Sequence, residues 1–346
     1  ETQIRLPGWS EQNPEDWYAA FCKAVPQAIR DAGIDASSIV GIGFSAGAHI
    51  PVLTDANDRV IRPAILWADQ RSVAEARALH EQHGEMIIRR SLNRANPTWA
   101  LAMLKWLKTH EPDAIKRTKR LFIAKDWLRW RITGAWHTDY SDVIGALMGD
   151  NTTRDWSPDI CALIDWDMST LPPVVEPSAV VGAVTKEAAR ETGLAPGTPV
   201  TCGSNDTTVE LYGVGATRAG QGAIKLATAG VVFLTTEGPA VHPPISCYPH
   251  IVPGHYFCAT GMNACASAHR WLRDRMFMEP DGDGSAAFAR MDEMAASVAP
   301  GSMGLIFHPY LQGERGPHWD PKLKADFVGL TTVSYTHLTL PTNREV

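Results

Sequence analysis

The sequence predicts an α/β protein of two domains, and three observations carry that prediction. The chain has 346 residues, and a domain ordinarily takes about 100 to 200. Segments with helical apolar spacing alternate with short apolar runs bounded by Gly, Pro, Asn and Asp. Apolar residues make up 45% of the chain and charged residues 20%, a balance that fills a core and excludes disordered, collagen-like and disulfide-scaffold classes.

Taken in order, the first helix is announced by Asn13 as cap, Pro14 at the first helical position, and Glu15 and Asp16 at the positive end of the dipole. Trp17, Phe21, Ala24, Val25, Ala28 and Ile29 keep helical spacing up to Gly33, the expected stop. Residues 39–44 read as a short strand covered on both faces. A second strand at 50–53 leads through the turn 55–58 to a hairpin partner at 59–67. Helical patterns follow at 70–83, 99–108 and 127–132, each ending near Gly or Pro. The chain is irregular at 171–177, then 185–192 forms a capped helix closed by Gly193. A strand at 199–202 ends in the sharp turn 203–206, and a helical segment runs towards Gly215. Residues 223–235 have the Gly and β-branched content of a hairpin with its bend at 227–230. From Val333 onward the chain continues no earlier pattern. Residues 332–346 read as an unrelated tail, a cloning or assembly scar, with an ordinary frayed terminus as the alternative.

Thirty-two basic against 38 acidic residues give a net charge of −6, with the signs mixed along the chain, so no polyanion-binding footprint is present and nucleic acid is not an expected partner. The six cysteines include no C-x-x-C pair, which argues against a zinc site and a thioredoxin-like motif and leaves them as small core residues. No apolar stretch is long enough for a spanning helix, and residues 1–5 do not resemble a secretory signal. No membrane partner is expected, and a reduced cytoplasm is the default compartment.

Asp206 is the first candidate for chemistry. A carboxylate at the carboxyl end of a strand, lifted by Gly203 and followed by a helix, faces the crevice where open α/β sheets bind ligands, and can act as a general base. An Asp in that place is also a helix N-cap, and the two roles can coexist. The bend Ala227-Thr-Ala-Gly230 offers amides and a hydroxyl suited to phosphate oxygens, although most such turns are only turns. Trp67-Ala-Asp69-Gln-Arg71 puts a ring, an acceptor and a forked donor within five residues, the inventory for stacking on and hydrogen-bonding a polyol. His49 precedes the same hairpin, its alternative being a structural histidine. Trp17, Trp106 and Trp130 fall on helical faces and read as core. Asp139 and Asp142 form a close acidic pair that reads as a solvated turn.

Together these segments resemble the FGGY carbohydrate kinases, most closely their xylulokinase branch. The resemblance rests on residues 7–17, on Arg62-Pro-Ala-Ile-Leu-Trp-Ala-Asp-Gln-Arg71, on Lys125-Asp-Trp-Leu-Arg-Trp-Arg-Ile-Thr-Gly134 with Thr138-Asp139, on 194–200 leading to Asp206, and on Phe307-His-Pro-Tyr-Leu-Gln-Gly-Glu-Arg-Gly-Pro-His-Trp-Asp320. It runs from about residue 6 to about residue 331 in the family's order. It implies two actin-like, ribonuclease H-like domains around a cleft, the second truncated: 1–218 as the N-terminal sugar-binding domain and 219–331 as a partial C-terminal domain. It implies ATP and Mg²⁺ as cofactors, a sugar as substrate, and Asp206 as the base that deprotonates the sugar hydroxyl. His49 and position 48 correspond to a sugar-contact pair, Trp67, Asp69 and Arg71 to a sugar-side segment, and Thr228 and Gly230 to a phosphate hairpin. No protein metal ligand is implied, and a homodimer is the assembly considered.

The sequence departs from the family pattern at several places. Ala48 stands where Met is usual, Gly47 replaces Gln, Asn205 replaces the Gly before the base, and Ala227 opens the hairpin. Gly316 stands for Thr, and Lys324-Ala-Asp326 for Ala-Arg-Gly. No Asp-x-Gly-Thr phosphate loop precedes residue 1 and no Gly-Gly adenine-side segment follows Thr331, so the expectation is a kinase fragment of poor activity by itself. Xylulose is the leading substrate, with another pentulose, a sugar acid or a polyol as rivals. A non-catalytic actin-like sugar-binding protein is the alternative of another class. A glycosidase has little support, because no second acid faces Asp139 and Asp142 across a cleft.

Overall fold

In the computed structural model, which describes residues 2–277, 285–314, 316, 318, 320 and 322–332, the first helix spans Pro14–Ala32. The Asn13 side chain accepts from Glu15 N, and Gly33 closes the helix in the left-handed region at φ 64°. Trp17, Phe21, Val25 and Ile29 pack on the core at four-residue spacing, whereas Ala24 and Ala28 face solvent. The buried stripe is therefore narrower than the apolar spacing suggests. Its partners include Phe44, Ile50, Val52, Phe122, Trp127, Ile132 and Val200.

The chain divides into two compact units, Glu1–Gln221 with Leu234–Cys258, and Gly222–Phe233 with Ala259–Val346. The break expected at 218/219 is thus followed by a return to the first unit. Within that unit the Asn93 side chain holds the returning segment by both its amide atoms, donating to Cys247 O (2.7 Å) and accepting from Cys247 N (2.9 Å). The chain leaves the second unit within Gly230–Glu237 and re-enters it within His255–Met262.

Several local expectations change. Residues 39–44 form no regular strand: Ile42 bridges Val200 in parallel, and Val40 is 90% exposed. Pro51–Thr54 pairs antiparallel with Arg120–Ile123, while of 59–67 only Val60 bridges back to Thr54, and Ala64–Ile65 pairs with Glu11–Gln12. The helix expected at 70–83 runs Val73–Ser91 straight through Gly84, because a side chain at 84 would meet the His80 ring at 2.8 Å and glycine makes room for it. Within the irregular stretch 171–177, Val174–Val175 pairs in parallel with Thr138–Asp139. The 227–230 bend joins two strands, and Lys186–Thr192 is capped by Thr185 and closed by Gly193. Residues 333–346 of the expected tail lie outside the described residues. Among the described residues no helix is long and apolar enough to cross a membrane.

Candidate active site

Two short parallel strands, Ser45–Ala46 and Ser204–Asn205, pair Ser45 with Ser204 and Ala46 with Asn205. Because they run in the same direction, Asp206 and the segment Gly47-Ala48-His49 leave the sheet at one end, the carboxyl end where open α/β folds gather ligands. Glycine is required before this turn: at φ 77° a Cβ on Gly203 would lie 2.0 Å from Phe44 O. The N-cap of the helix Asp206–Gly213 is Asn205, whose Oδ1 accepts from Thr208 N (3.0 Å) and Thr208 Oγ1 (2.8 Å). The capping role considered for Asp206 thus falls one residue earlier, which also gives Asn205 a function where the family pattern has Gly. Asp206 opens the helix half-buried, with Oδ1 accepting from Thr207 N at 2.8 Å.

His49 is buried and held at φ 68°. Its ring lies between Trp99 (centroids 4.7 Å) and Tyr248 (5.8 Å, 7° between planes), with Nε2 3.2 Å from the Tyr248 hydroxyl. Gly145 admits the ring to the helix Tyr140–Gly145, since a Cβ there would sit 2.1 Å from His49 Cε1. Nδ1 is buried without a hydrogen-bond partner among the described residues. Burial lowers the imidazole pKa to about 3, so the ring is neutral at neutral pH. Tyr248 and Trp99 were not singled out by the sequence; Tyr248 stands 199 positions from His49, and no local pattern connects them. Ala48 is half-buried beside His49 in the chain.

The expected solvated turn at Asp139 and Asp142 is instead the centre of a buried ionic cluster. Lys125 Nζ lies 2.5 Å from Asp126 Oδ1, 2.8 Å from Asp139 Oδ2 and 3.0 Å from Asp142 Oδ2. Arg129 binds Asp126 Oδ1 at 2.7 Å, and all five side chains are essentially inaccessible. Burial opposes the Lys125 charge, but Asp126, Asp139 and Asp142 outweigh it and hold its pKa well above the ordinary lysine value. Asp142 moves the other way: burial, above all, pushes its carboxyl well above the ordinary range. A proton on Asp142 leaves two carboxylates against an ammonium and a guanidinium, a neutral set. Lys125, Asp126 and Arg129 share a helix, Ala124–Thr133, with the core residues Trp127 and Ile132, which signals their burial in the sequence but not their pairing with Asp139 and Asp142.

In the Trp67 to Arg71 segment the ring reaches outward, Trp67 being 61% exposed, and Ala68 and Gln70 are exposed beside it. Asp69 is buried, its Oδ2 accepting from Ser10 N (2.5 Å) and Arg71 (2.7 Å) and its Oδ1 from Arg71 N and Nε. Arg71 also donates to Glu11 Oε1 (2.9 Å) and stacks 3.7 Å over Trp9. Asp69 and Arg71 therefore brace the segment rather than extend from it. Trp106 is buried as expected for core, and Trp17 and Trp130 pack on the core half-buried.

In the second unit Thr228 is exposed at the tip of the bend and Gly230 is buried, where a Cβ would lie 2.9 Å from Met262 Cγ. The Thr228 carbonyl accepts from Cys265 N (3.0 Å) and Ser267 Oγ (2.9 Å), fixing the bend to the following helix, Ala266–Leu272. Gly316 has a steric reason, since a side chain there would meet Thr260 Oγ1 at 2.0 Å. Asp326, in the altered 324–326 stretch, pairs with His308 Nδ1 at 2.6 Å. Glu314 is buried and accepts from Asn263 N at 2.9 Å.

Comparison with known proteins places this arrangement. The N-terminal domain of the FGGY family of carbohydrate kinases matches residues 1–213, and the C-terminal domain of that family matches 222–337. The xylulose kinase of Bacillus subtilis is 30% identical over 338 residues, covering 95% of this chain and 66% of that protein. The xylulose kinase of Escherichia coli is 32% identical over 327 residues, 94% of this chain and 65% of its own length. A gluconokinase of B. subtilis is 26% identical over 330 residues. The chain thus spans somewhat less than two thirds of these curated relatives. The structure of the xylulose kinase from Rhodospirillum rubrum superposes with a TM-score of 0.89 at 28% identity, covering 98% of this chain and 68% of that one. Both domain matches, found in the same order as the two groups of site residues, show that the chain belongs to the FGGY family of carbohydrate kinases.

Proposed function

We propose that this protein acts as an ATP-dependent sugar kinase, with D-xylulose as substrate and xylulose 5-phosphate as product. The observation that carries the reading is the parallel strand pair that delivers Asp206 and the 47–49 segment to one end of the sheet. Asp206 takes the proton of the attacking sugar hydroxyl. The alkoxide oxygen bonds to the terminal phosphorus of ATP, the bond from that phosphorus to the bridging oxygen breaks, and ADP leaves. His49 and Ala48 line the sugar side, where the neutral imidazole offers one nitrogen to a hydroxyl, and Trp67 supplies an apolar face for the open carbon chain, whose O5 must be free to attack. Asp69 and Arg71 keep that segment in place. Thr228 and the bend closed by Gly230 hold phosphate oxygens: the hydroxyl is exposed, and the tight packing at Gly230 keeps the bend free of a side chain. Mg²⁺ takes one or two carboxylates together with phosphate oxygens and water, a demand Asp206 fits, and when bound it neutralises charge on the transferring group.

The short side chains at 47 and 48 favour a second substrate reading, a larger or differently shaped pentulose, sugar acid or polyol. Both readings meet one experiment on the protein expressed from its complete reading frame. ADP release is followed with xylulose, other pentuloses, gluconate and glycerol, and with Asp206→Asn. Xylulose should give the highest kcat/KM, and Asp206→Asn should lower kcat about 10²- to 10⁴-fold while sugar affinity stays within about three-fold. Faster turnover of another sugar displaces xylulose. Undiminished activity in the variant removes Asp206 from the base role, and sugar binding without any ADP release favours a non-catalytic sugar-binding protein.

A further inference from the structure

The buried Lys125 cluster takes no direct part in the chemistry above, yet its hydrogen bonds run to the turn that carries Asp206. Asp139, held by Lys125 through Oδ2, accepts at Oδ1 from Ser204 Oγ (2.9 Å) and from Ser141 N (3.0 Å). Ser141 Oγ accepts from Asn205 Nδ2 (3.0 Å) and lies 3.0 Å from Thr208 Oγ1. Arg129, held by Asp126, donates to Cys202 O (2.7 Å). Cys202, Ser204, Asn205 and Thr208 thus bracket Asp206 on both sides in the chain, and each is fixed by a group of the cluster or one bond removed from it. All four are buried, so water does not compete for these bonds.

We propose that Lys125, Asp139 and Ser204 are positioning residues for Asp206, a relay that fixes the backbone turn on which the base is mounted. The inference rests on the reading of Asp206 as the base. A charged cluster is expensive to bury and stabilises little by itself, but it resists rotation once formed, because every displacement of Asp139 stretches a contact to an ammonium in a low-dielectric surrounding. General-base catalysis needs that stiffness, since a misplacement of about 1 Å can cost about 10²-fold in rate.

Ser204→Ala removes the one direct side-chain bond from the turn to Asp139 while leaving every charge, the Arg129 bond to Cys202 O and the Ser141 contacts in place. Ser91→Ala is the control: Ser91 is equally buried and donates to Gly149 O at 2.6 Å, outside the relay. In the protein expressed from its complete reading frame, amide hydrogen exchange at 203–208 should quicken in Ser204→Ala and not in Ser91→Ala. In the same variant kcat should fall about 10- to 100-fold with sugar KM within about three-fold, whereas Ser91→Ala keeps kcat near wild type. Unchanged exchange at 203–208 overturns the relay. So does quickened exchange with undiminished kcat, or an equal loss of kcat in the control, which would mark a general structural effect. If the wild-type protein phosphorylates no sugar, the kinase reading fails by itself, and the exchange comparison still decides whether the cluster fixes the turn.

Discussion

The first unit buries two ionic assemblies with different charge balance. Glu11, Asp69, Arg62 and Arg71 form the centre of one, with the half-buried Glu111 on Arg62 and the exposed Arg5 on Glu11 at its edge, three carboxylates against three guanidiniums. Lys125, Arg129, Asp126, Asp139 and Asp142 form the other, three carboxyls against two cations. The balanced set closes on itself and holds a strand and a turn together. The unbalanced set needs a proton to become neutral, and it reaches the Asp206 turn through one acceptor, Asp139 Oδ1, and one donor, Arg129. On the proposed relay, buried charge in this fold serves two purposes, bracing in one place and orientation in the other.

The largest test of that difference is Lys125→Met. It removes the one cation shared by three carboxyls, and breaking a buried ion pair costs about 3–5 kcal/mol. Urea unfolding should report a loss at the upper end of that range, or no folded protein. A loss below about 2 kcal/mol would mean that the carboxyls do not depend on one ammonium. Arg71→Lys, in the balanced set, keeps the charge but gives up the fork on Asp69 and the stacking on Trp9. The expected cost is about 2–3 kcal/mol by the same measurement, since hydrogen bonds to charged groups contribute about 1.5–3 kcal/mol each. Indifference to the change would show that charge alone braces the segment.

Asp142→Asn should have the smallest effect, and its sign is the informative part. Because burial raises the folded-state pKa of Asp142, the folded protein keeps this proton to higher pH than the unfolded chain does. Stability is therefore complete below the unfolded carboxyl pKa and is lost as pH rises towards the folded one. Asparagine needs no proton, so the variant should match or exceed wild-type stability near pH 7, with the gap closing as pH falls towards 4. Thermal unfolding across that range checks it, and marked destabilisation at neutral pH would show that Asp142 is held as an anion.

What the sequence revealed follows the range of its signals. Asn13, Pro14 and Gly33, or Thr185 and Gly193, act within one or two turns of their own helices, and those boundaries agree with the structure. Asp206 stood out for a similar reason, because strand, glycine, turn and helix are contiguous; only the cap was displaced by one residue, to Asn205. Asp139 and Asp142 read as a solvated turn because their partners sit at 125–129 and 204, beyond any local window. Gly84 reads as a stop until His80 is seen against it, and the short apolar run at 39–44 says nothing about which neighbour is present. The aromatic enclosure of His49 depends on Tyr248 and was invisible for the same reason.

The return of Leu234–Cys258 to the first unit has a bearing on synthesis. Tyr248 lies on that segment, and so does Cys247, which satisfies both amide atoms of Asn93. A nascent chain that has reached only Gln221 already carries His49 and Asp206, but lacks the strand whose Tyr248 completes the surroundings of His49. Domains tend to fold in order as they leave the ribosome, and here the earlier one must wait until translation has passed into the next and come back.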